Sequence, residues 1–140
     1  MLKDEIGKYY FDGNYNCAET IIRAGNDYYQ LGLHDEDMKM LGVFGAGIQC
    51  GNTCGAILSA ASILSMKYIE KNAHESEDIR PVTVLLMKKF QEKYGSHLCK
   101  DIKPQSFSKE NRCLNTVETA CEILEQTISE YVKAYFYLKR

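Results

Sequence analysis

Between Lys39 and Lys67 the chain carries no charged side chain, and that stretch limits what the whole protein can fold into. A membrane span needs about 20 mostly apolar residues in one regular helix. Here Gln49, Gly51, Asn52 and Thr53 break the run in its middle, and the apolar part after Cys54 is too short. The stretch therefore reads as two elements flanking a polar glycine loop, GAGIQCGNTCG, and then a helix that is apolar nearly all round as far as Met66. A helix with no polar face belongs in the centre of a globule. Ala56, Ala60 and Ala61 would let neighbouring helices approach closely, with Ile57, Leu58, Ile63 and Leu64 filling the space between them.

The rest of the chain supplies helices to surround it. Leu2 to Phe11 is a short amphipathic piece that Asp12-Gly13-Asn14 ends. Asn16 then caps a second helix, and Glu19 completes an asparagine version of the capping box. Gly32 closes that segment, and Asp35-Glu36-Asp37 opens a third, its acids matched to the helix dipole. Pro81 fits the first turn of a helix from Ile79 to Tyr94, and Gly95 stops it. Ser96 reads as the next N-cap, with Cys99 at the third helical position, while Asp101 to Ser108 looks irregular because Pro104 is a breaker. A last long helix starts near Ser108 or Asn111, and Lys139-Arg140 suit its C-terminal end. The expected architecture is all-α, a single domain over residues 1–140, with about five to six helices around a central apolar helix at about residues 54–71.

Composition removes several function classes. A chain of 140 residues that is 45% hydrophobic suits one domain with its own core. The net charge of −2 is spread over both signs, so there is no basic footprint for nucleic acid. The opening MLKDEIGKYY lacks the apolar core of a signal peptide, which points to the cytoplasm.

Six cysteines are the anomaly. In a secreted domain they would suggest disulfides, whereas in a cytoplasmic chain they point to metal, cluster or redox thiols. Their positions sharpen this. Cys17, Cys54, Cys99 and Cys113 each fall in the first turn of a different expected helix, while Cys121 lies on a buried face as a packing residue would. Asn52 or Thr53 would cap the helix that Cys54 begins, and the positive end of that helix would favour its thiolate. Four such ends meeting at one pocket would stabilise several thiolates, or a cluster anion, together.

These residues resemble the redox-active family named for its cysteine pattern, C_GCAxxG_C_C. The segment Phe11-Asp12-Gly13-Asn14-Tyr15-Asn16-Cys17-Ala18-Glu19 looks like the family's opening, and Gly45-Ala46-Gly47 through Cys54-Gly55-Ala56 is similar to its central glycine-rich motif. Phe90 to Cys99, and then Cys113 before a long amphipathic helix, match the last two cysteines. By that match Cys17, Cys54, Cys99 and Cys113 are the family set, and Cys50 and Cys121 are extras. One position departs, since Ser59 stands where the CGAxxG motif closes on glycine. The resemblance implies redox work, and a similar cysteine arrangement in cytochrome-linked relatives brings an iron–sulfur site into view.

Two chemistries use these residues. In one, Cys54 attacks as nucleophile and Cys17 or Cys99 resolves, so that dithiol and disulfide interconvert; no CxxC supports thioredoxin-like exchange. In the other, Cys17, Cys54, Cys99 and Cys113 hold an iron–sulfur cluster or another thiophilic metal. The paired short spacings of a zinc knuckle are missing. Both ask for a redox partner protein and for no membrane span, and they leave room for a homo-oligomer. The competing readings are a non-catalytic metal-binding module and a helical interaction domain with incidental cysteines. Gly45 and Gly47 mimic a dinucleotide loop, but Cys50 occupies the third glycine's place. His97 lies two residues before Cys99 as an additional ligand candidate, whereas His34 and His74 sit in polar connections. Tyr9, Tyr10, Tyr131, Tyr135 and Tyr137 read as packing between terminal helices or subunits.

Overall fold

The computed structural model describes residues 1–138, with side chains through Tyr135; Lys139, Arg140 and the side chain of Tyr137 lie outside the described residues. Six α-helices run in the order α1 (Cys17–Tyr29), α2 (Asp35–Met38), α3 (Gly55–Tyr68), α4 (Ile79–Tyr94), α5 (Cys99–Ser106) and α6 (Leu114–Leu138). Short 3-10 or π turns fill Leu2–Glu5, Lys8–Asp12, Lys39–Phe44 and Gly47–Gly51, and among the described residues there is no strand. No helix of the described residues is long and apolar enough to cross a membrane.

The all-α expectation holds, and α3 is the central helix. It packs on α1, α4 and α6. Ala56, Ile57, Ala60, Ile63 and Leu64 are each 1% exposed or less. The α1–α3 seam is the closest, because Gly25 faces Ile63 so tightly that a Cβ at Gly25 would come within 3.0 Å of Ile63 Cγ1. Phe90 and Leu86 of α4 and Val117, Ala120 and Leu124 of α6 close the other side. The N-terminal turns then lay Leu2, Ile6 and Tyr10, spaced four apart, onto the bundle.

Ser59, where the resembled motif has glycine, is fully buried and donates its hydroxyl to the carbonyl of Ala18 at 2.8 Å. The serine thus ties α3 to the first turn of α1, next to Cys17. Restoring glycine at this position removes that bond and adds backbone freedom to a helix interior, together costing about 1–2 kcal/mol. Urea unfolding of Ser59→Gly against Ser59→Ala measures the two contributions separately.

Several boundaries differ from expectation. The central helix ends at Tyr68, because Ile69 turns to extended backbone (φ −102°, ψ 117°). Helix α1 stops at Tyr29 with Gln30 left-handed, ahead of Gly32, while the Asn26 side chain binds both N–H and carbonyl of Leu33. Helix α2 is a single turn that passes directly into 3-10 geometry at Lys39. Residues 101–106, expected to be irregular, are helical with Pro104 inside α5. That proline is tolerated because Lys100, four residues back, is exposed and can bond water, and Gln105 Nε2 brings compensating bonds to the carbonyls of Asp101 (2.9 Å) and Tyr94 (3.1 Å). Helix α6 begins at Leu114, later than expected, since Ser108 and Arg112 exchange backbone bonds of 3.0 and 2.6 Å and hold residues 108–112 in a tight turn.

Candidate functional site

Each of the four motif cysteines sits at the beginning of a helix. Cys17 is the first residue of α1, behind an Asn16 cap whose side chain accepts from Glu19 N at 2.9 Å while Glu19 Oε1 accepts from Asn16 N at 3.1 Å. Cys99 is the first residue of α5, not the third, because Leu98 is the N-cap and Ser96 instead braces the turn, accepting from Leu98 N at 3.0 Å. Cys54 is itself the N-cap of α3, so neither Asn52 nor Thr53 caps it: Asn52 Oδ1 is taken by Thr53 N at 2.8 Å. Cys113 directly precedes α6, and its carbonyl accepts from Val117 N at 3.0 Å.

The fold brings all four together. Cys17, Cys54, Cys99 and Cys113 line one cavity of about 170 Å³, with Tyr10 and Ile102 among its walls. A small antiparallel bridge, Thr53 with Leu98, fixes two of them: Cys54 N donates to His97 O at 2.8 Å, and Cys99 N donates to Asn52 O at 2.7 Å. Gly47 approaches Cys99 where φ is +63°, and a Cβ there would lie 2.6 Å from Cys99 Cβ. The loop around it holds Ala46, Ile48 and Gln49 at positive φ, which for a β-branched isoleucine is a strained conformation. Gly55 meets Cys17 the same way, its absent Cβ 3.0 Å from Cys17 Sγ.

The other candidates are elsewhere. Cys50 is exposed on the loop, its thiol 3.7 Å from Gly47 O, and Cys121 is fully buried in the core face of α6. The side chains of His34, His74 and His97 are exposed, and His97 contributes its carbonyl. Tyr131 packs edge-on against Tyr68 at 5.5 Å and donates to Asp78 at 2.5 Å, as a packing tyrosine should. Tyr10 is likewise packed in the core, 2% exposed, and has a second place as well. It is a wall of the cysteine cavity, a role that its helical spacing with Leu2 and Ile6 gave no means of telling from packing.

Electrostatics runs opposite to the expected thiolate stabilisation. Burial pushes the Cys17 thiol up to about 12, helped by Cys54 and Cys113, while the amides of Ala18 and Ala46 pull it down. Cys54 is also raised by burial, against the amides of Ala56 and Ile57 in its own helix start. Burial and Cys99 raise Cys113, opposed by Lys103 and Arg112. The helix ends therefore act in the expected direction and lose to desolvation. A raised thiol keeps its proton in the folded chain where the unfolded chain has already released it. Stability of the metal-free protein is accordingly full below about pH 9 and declines as pH rises toward 12, the window set by Cys17 together with Cys121, which burial also pushes up to about 12. Urea midpoints measured across that range check it: Cys17→Ala flattens part of the decline, and the part set by Cys121 remains.

Among the described residues all six cysteines are free thiols, and no three His, Cys, Asp or Glu side chains gather closely enough to hold a metal ion. A family model described as "Putative redox-active protein (C_GCAxxG_C_C)" matches residues 15–127, most of the chain. The chain belongs to the C_GCAxxG_C_C family. Searches of curated proteins and of solved structures find no match. The C_GCAxxG_C_C assignment supports a redox role in broad terms, and the matched span begins two residues before Cys17 and includes all four cavity cysteines. Within this C_GCAxxG_C_C protein, Gly47 and Gly55 of the motif are pressed against cysteines of the cavity, and Gly45 against Asn16, the cap that precedes Cys17.

Proposed function

We propose that the protein is a one-electron carrier whose Cys17, Cys54, Cys99 and Cys113 hold an iron–sulfur cluster. One observation carries this reading: four thiols from four separate helix starts line a single cavity. Incidental core cysteines would have no reason to converge. The donor set fits the group, since clusters are held by cysteine thiolates. Four thiols that line one cavity are the donors such a group would use.

Bound there, the cluster would supply the ability to accept and return one electron. The chain's own contribution is to oppose, in part, the burial that raises these thiols. The amides of Ala18 and Ala46 favour the Cys17 thiolate, those of Ala56 and Ile57 favour Cys54, and the cations of Lys103 and Arg112 favour Cys113. Ile102 and Phe107 form apolar wall and limit water. Dithiol–disulfide exchange is less well supported by the same site, because it asks Cys54 to attack as a free thiolate with no metal ion to take up its charge. Cys54 is only 5% exposed, and burial raises its thiol above the ordinary value.

The test is reconstitution of the full chain under anaerobic conditions with ferrous iron and sulfide. The expected result is a coloured protein with stoichiometric iron and labile sulfide whose visible absorbance bleaches on uptake of one electron. Bound metal without any redox response supports a structural metal module and overturns the carrier reading. A colourless chain with two thiols that oxidise reversibly to a disulfide transfers the function to exchange.

A further inference from the structure

The cysteine cavity reaches the surface on one side, where Cys99 and Cys113 are partly exposed while Cys54 is buried. The side chains at that mouth are cationic or apolar. Lys103 and Arg112 line the cavity itself, and no carboxylate does. Phe107 lines it too, is 46% exposed, and has the Lys103 ammonium 4.7 Å from its ring centre. Beside them the Gly47–Gly51 loop is seated on α5, with Lys100 Cβ 3.5 Å from where a Cβ on Gly51 would lie. That loop presents Ile48, 39% exposed.

Charge is unevenly distributed around this mouth. Residues 97–113 carry Lys100, Lys103, Lys109 and Arg112 against Asp101 and Glu110, and residues 40–66 carry no charge, although the whole chain has a net charge of −2. Asp101 is tied back to Ser96, whose hydroxyl donates to it at 2.7 Å, and the remaining framing segment, 10–17, adds Asp12 alone. Among the described residues none of the four cations forms a salt bridge. Their charge is therefore open to a partner.

We infer that this mouth is the docking surface for an electron-carrier protein with an acidic face. The inference rests on the cluster reading above. An electron enters a buried site most readily where the chain over it is thinnest, which here is beside Cys99 and Cys113. Unpaired cations at that place attract an acidic partner and steer its approach. The small apolar contact offered by Phe107 and Ile48 suits the limited area of a short-lived redox encounter. In the exchange the partner loses one electron and the site gains it, and no proton or covalent bond moves.

The probe is a reduced ferredoxin with an acidic surface, mixed by stopped flow with the oxidised, reconstituted full chain. Salt is raised from about 10 mM to about 150 mM, which shortens the screening length from about 30 Å to about 8 Å. Lys100→Glu with Lys109→Glu reverses charge at the mouth. Lys71→Glu with Lys133→Glu makes the same change of net charge far from it, Lys71 beyond the end of α3 and Lys133 roughly 30 Å along α6 from its start. The mouth variant is expected to slow the reaction about tenfold at low salt and to lose most of the salt dependence, while the remote variant keeps the wild-type rate and all forms carry equal iron. A second readout involves no electron: amide shifts in the metal-free full chain on adding the oxidised ferredoxin are expected to centre on residues 46–51 and 99–112. Equal slowing by both variants means that net charge alone acts and overturns the docking surface, as does slowing by neither, or a shift map centred elsewhere. Failure of the wild type to take up iron and sulfide overturns the carrier reading, and the shift map of the metal-free chain then decides the surface by itself.

Discussion

Replacing Cys54 with serine is expected to remove iron and sulfide from the reconstituted protein while the helical bundle stays intact. The two effects separate because of where Cys54 sits. It is the N-cap of α3, and serine is among the residues that cap helices best, so the exchange keeps or improves the cap while deleting a soft donor. The loss should exceed the roughly 10–100-fold fall in metal affinity seen when only an outer partner of a metal site is removed. Cys17→Ser, Cys99→Ser and Cys113→Ser are expected to behave alike. Cys50→Ser and Cys121→Ala are the controls: one residue is exposed on the loop, the other is packed in the core, and neither lines the cavity. Both should retain full iron. Iron content, labile sulfide and far-ultraviolet circular dichroism across the six variants check the pattern. Full iron in any of the four cavity variants would remove that cysteine from the set.

Gly55→Ala is expected to be strongly destabilising. A Cβ at this position would lie 2.5 Å from the carbonyl oxygen of Phe44 and 3.0 Å from Cys17 Sγ. The first obstacle is backbone, which cannot rotate aside as a long side chain can, so the cost reaches about 3 kcal/mol, the upper end for overpacking. In a domain of this size that lowers the melting temperature by roughly 10 °C. Gly7→Ala is the matched control, since nothing lies within 4 Å of its added carbon. Differential scanning calorimetry of the metal-free proteins measures both, and an unchanged melting point for Gly55→Ala would mean that the 44–45 backbone gives way easily.

Much of this arrangement is legible in the residues, for reasons that can be named. The central helix declares itself because no charge interrupts Gly55 to Met66, and Asn16 with Glu19 states a helix start in local chemistry alone. The four helix-start cysteines are visible by the same kind of local reading. What escapes is whatever depends on contact between distant segments. Tyr10 is joined to Cys113 across a separation of 103 residues, and its spacing with Leu2 and Ile6 looks like ordinary core. Pro104 reads as a breaker until the Gln105 side chain is seen bonding the carbonyls of Asp101 and Tyr94. The thiol ionisation is misjudged for a related reason: a dipole can be inferred from one helix, but desolvation is the work of every neighbour at once. The positive φ of Ile48 and Gln49 is likewise forced by the close seating of the loop on α5, since neither residue type invites it.

The hydrogen bonds that link the loops carrying Cys54 and Cys99 are peptide to peptide, Cys54 N to His97 O and Cys99 N to Asn52 O. Exchanges of the exposed His97 side chain therefore leave both bonds in place. Half of the sulfur cage is consequently insulated from mutational drift in its surroundings, and what would undo it is an imino acid at either anchoring amide.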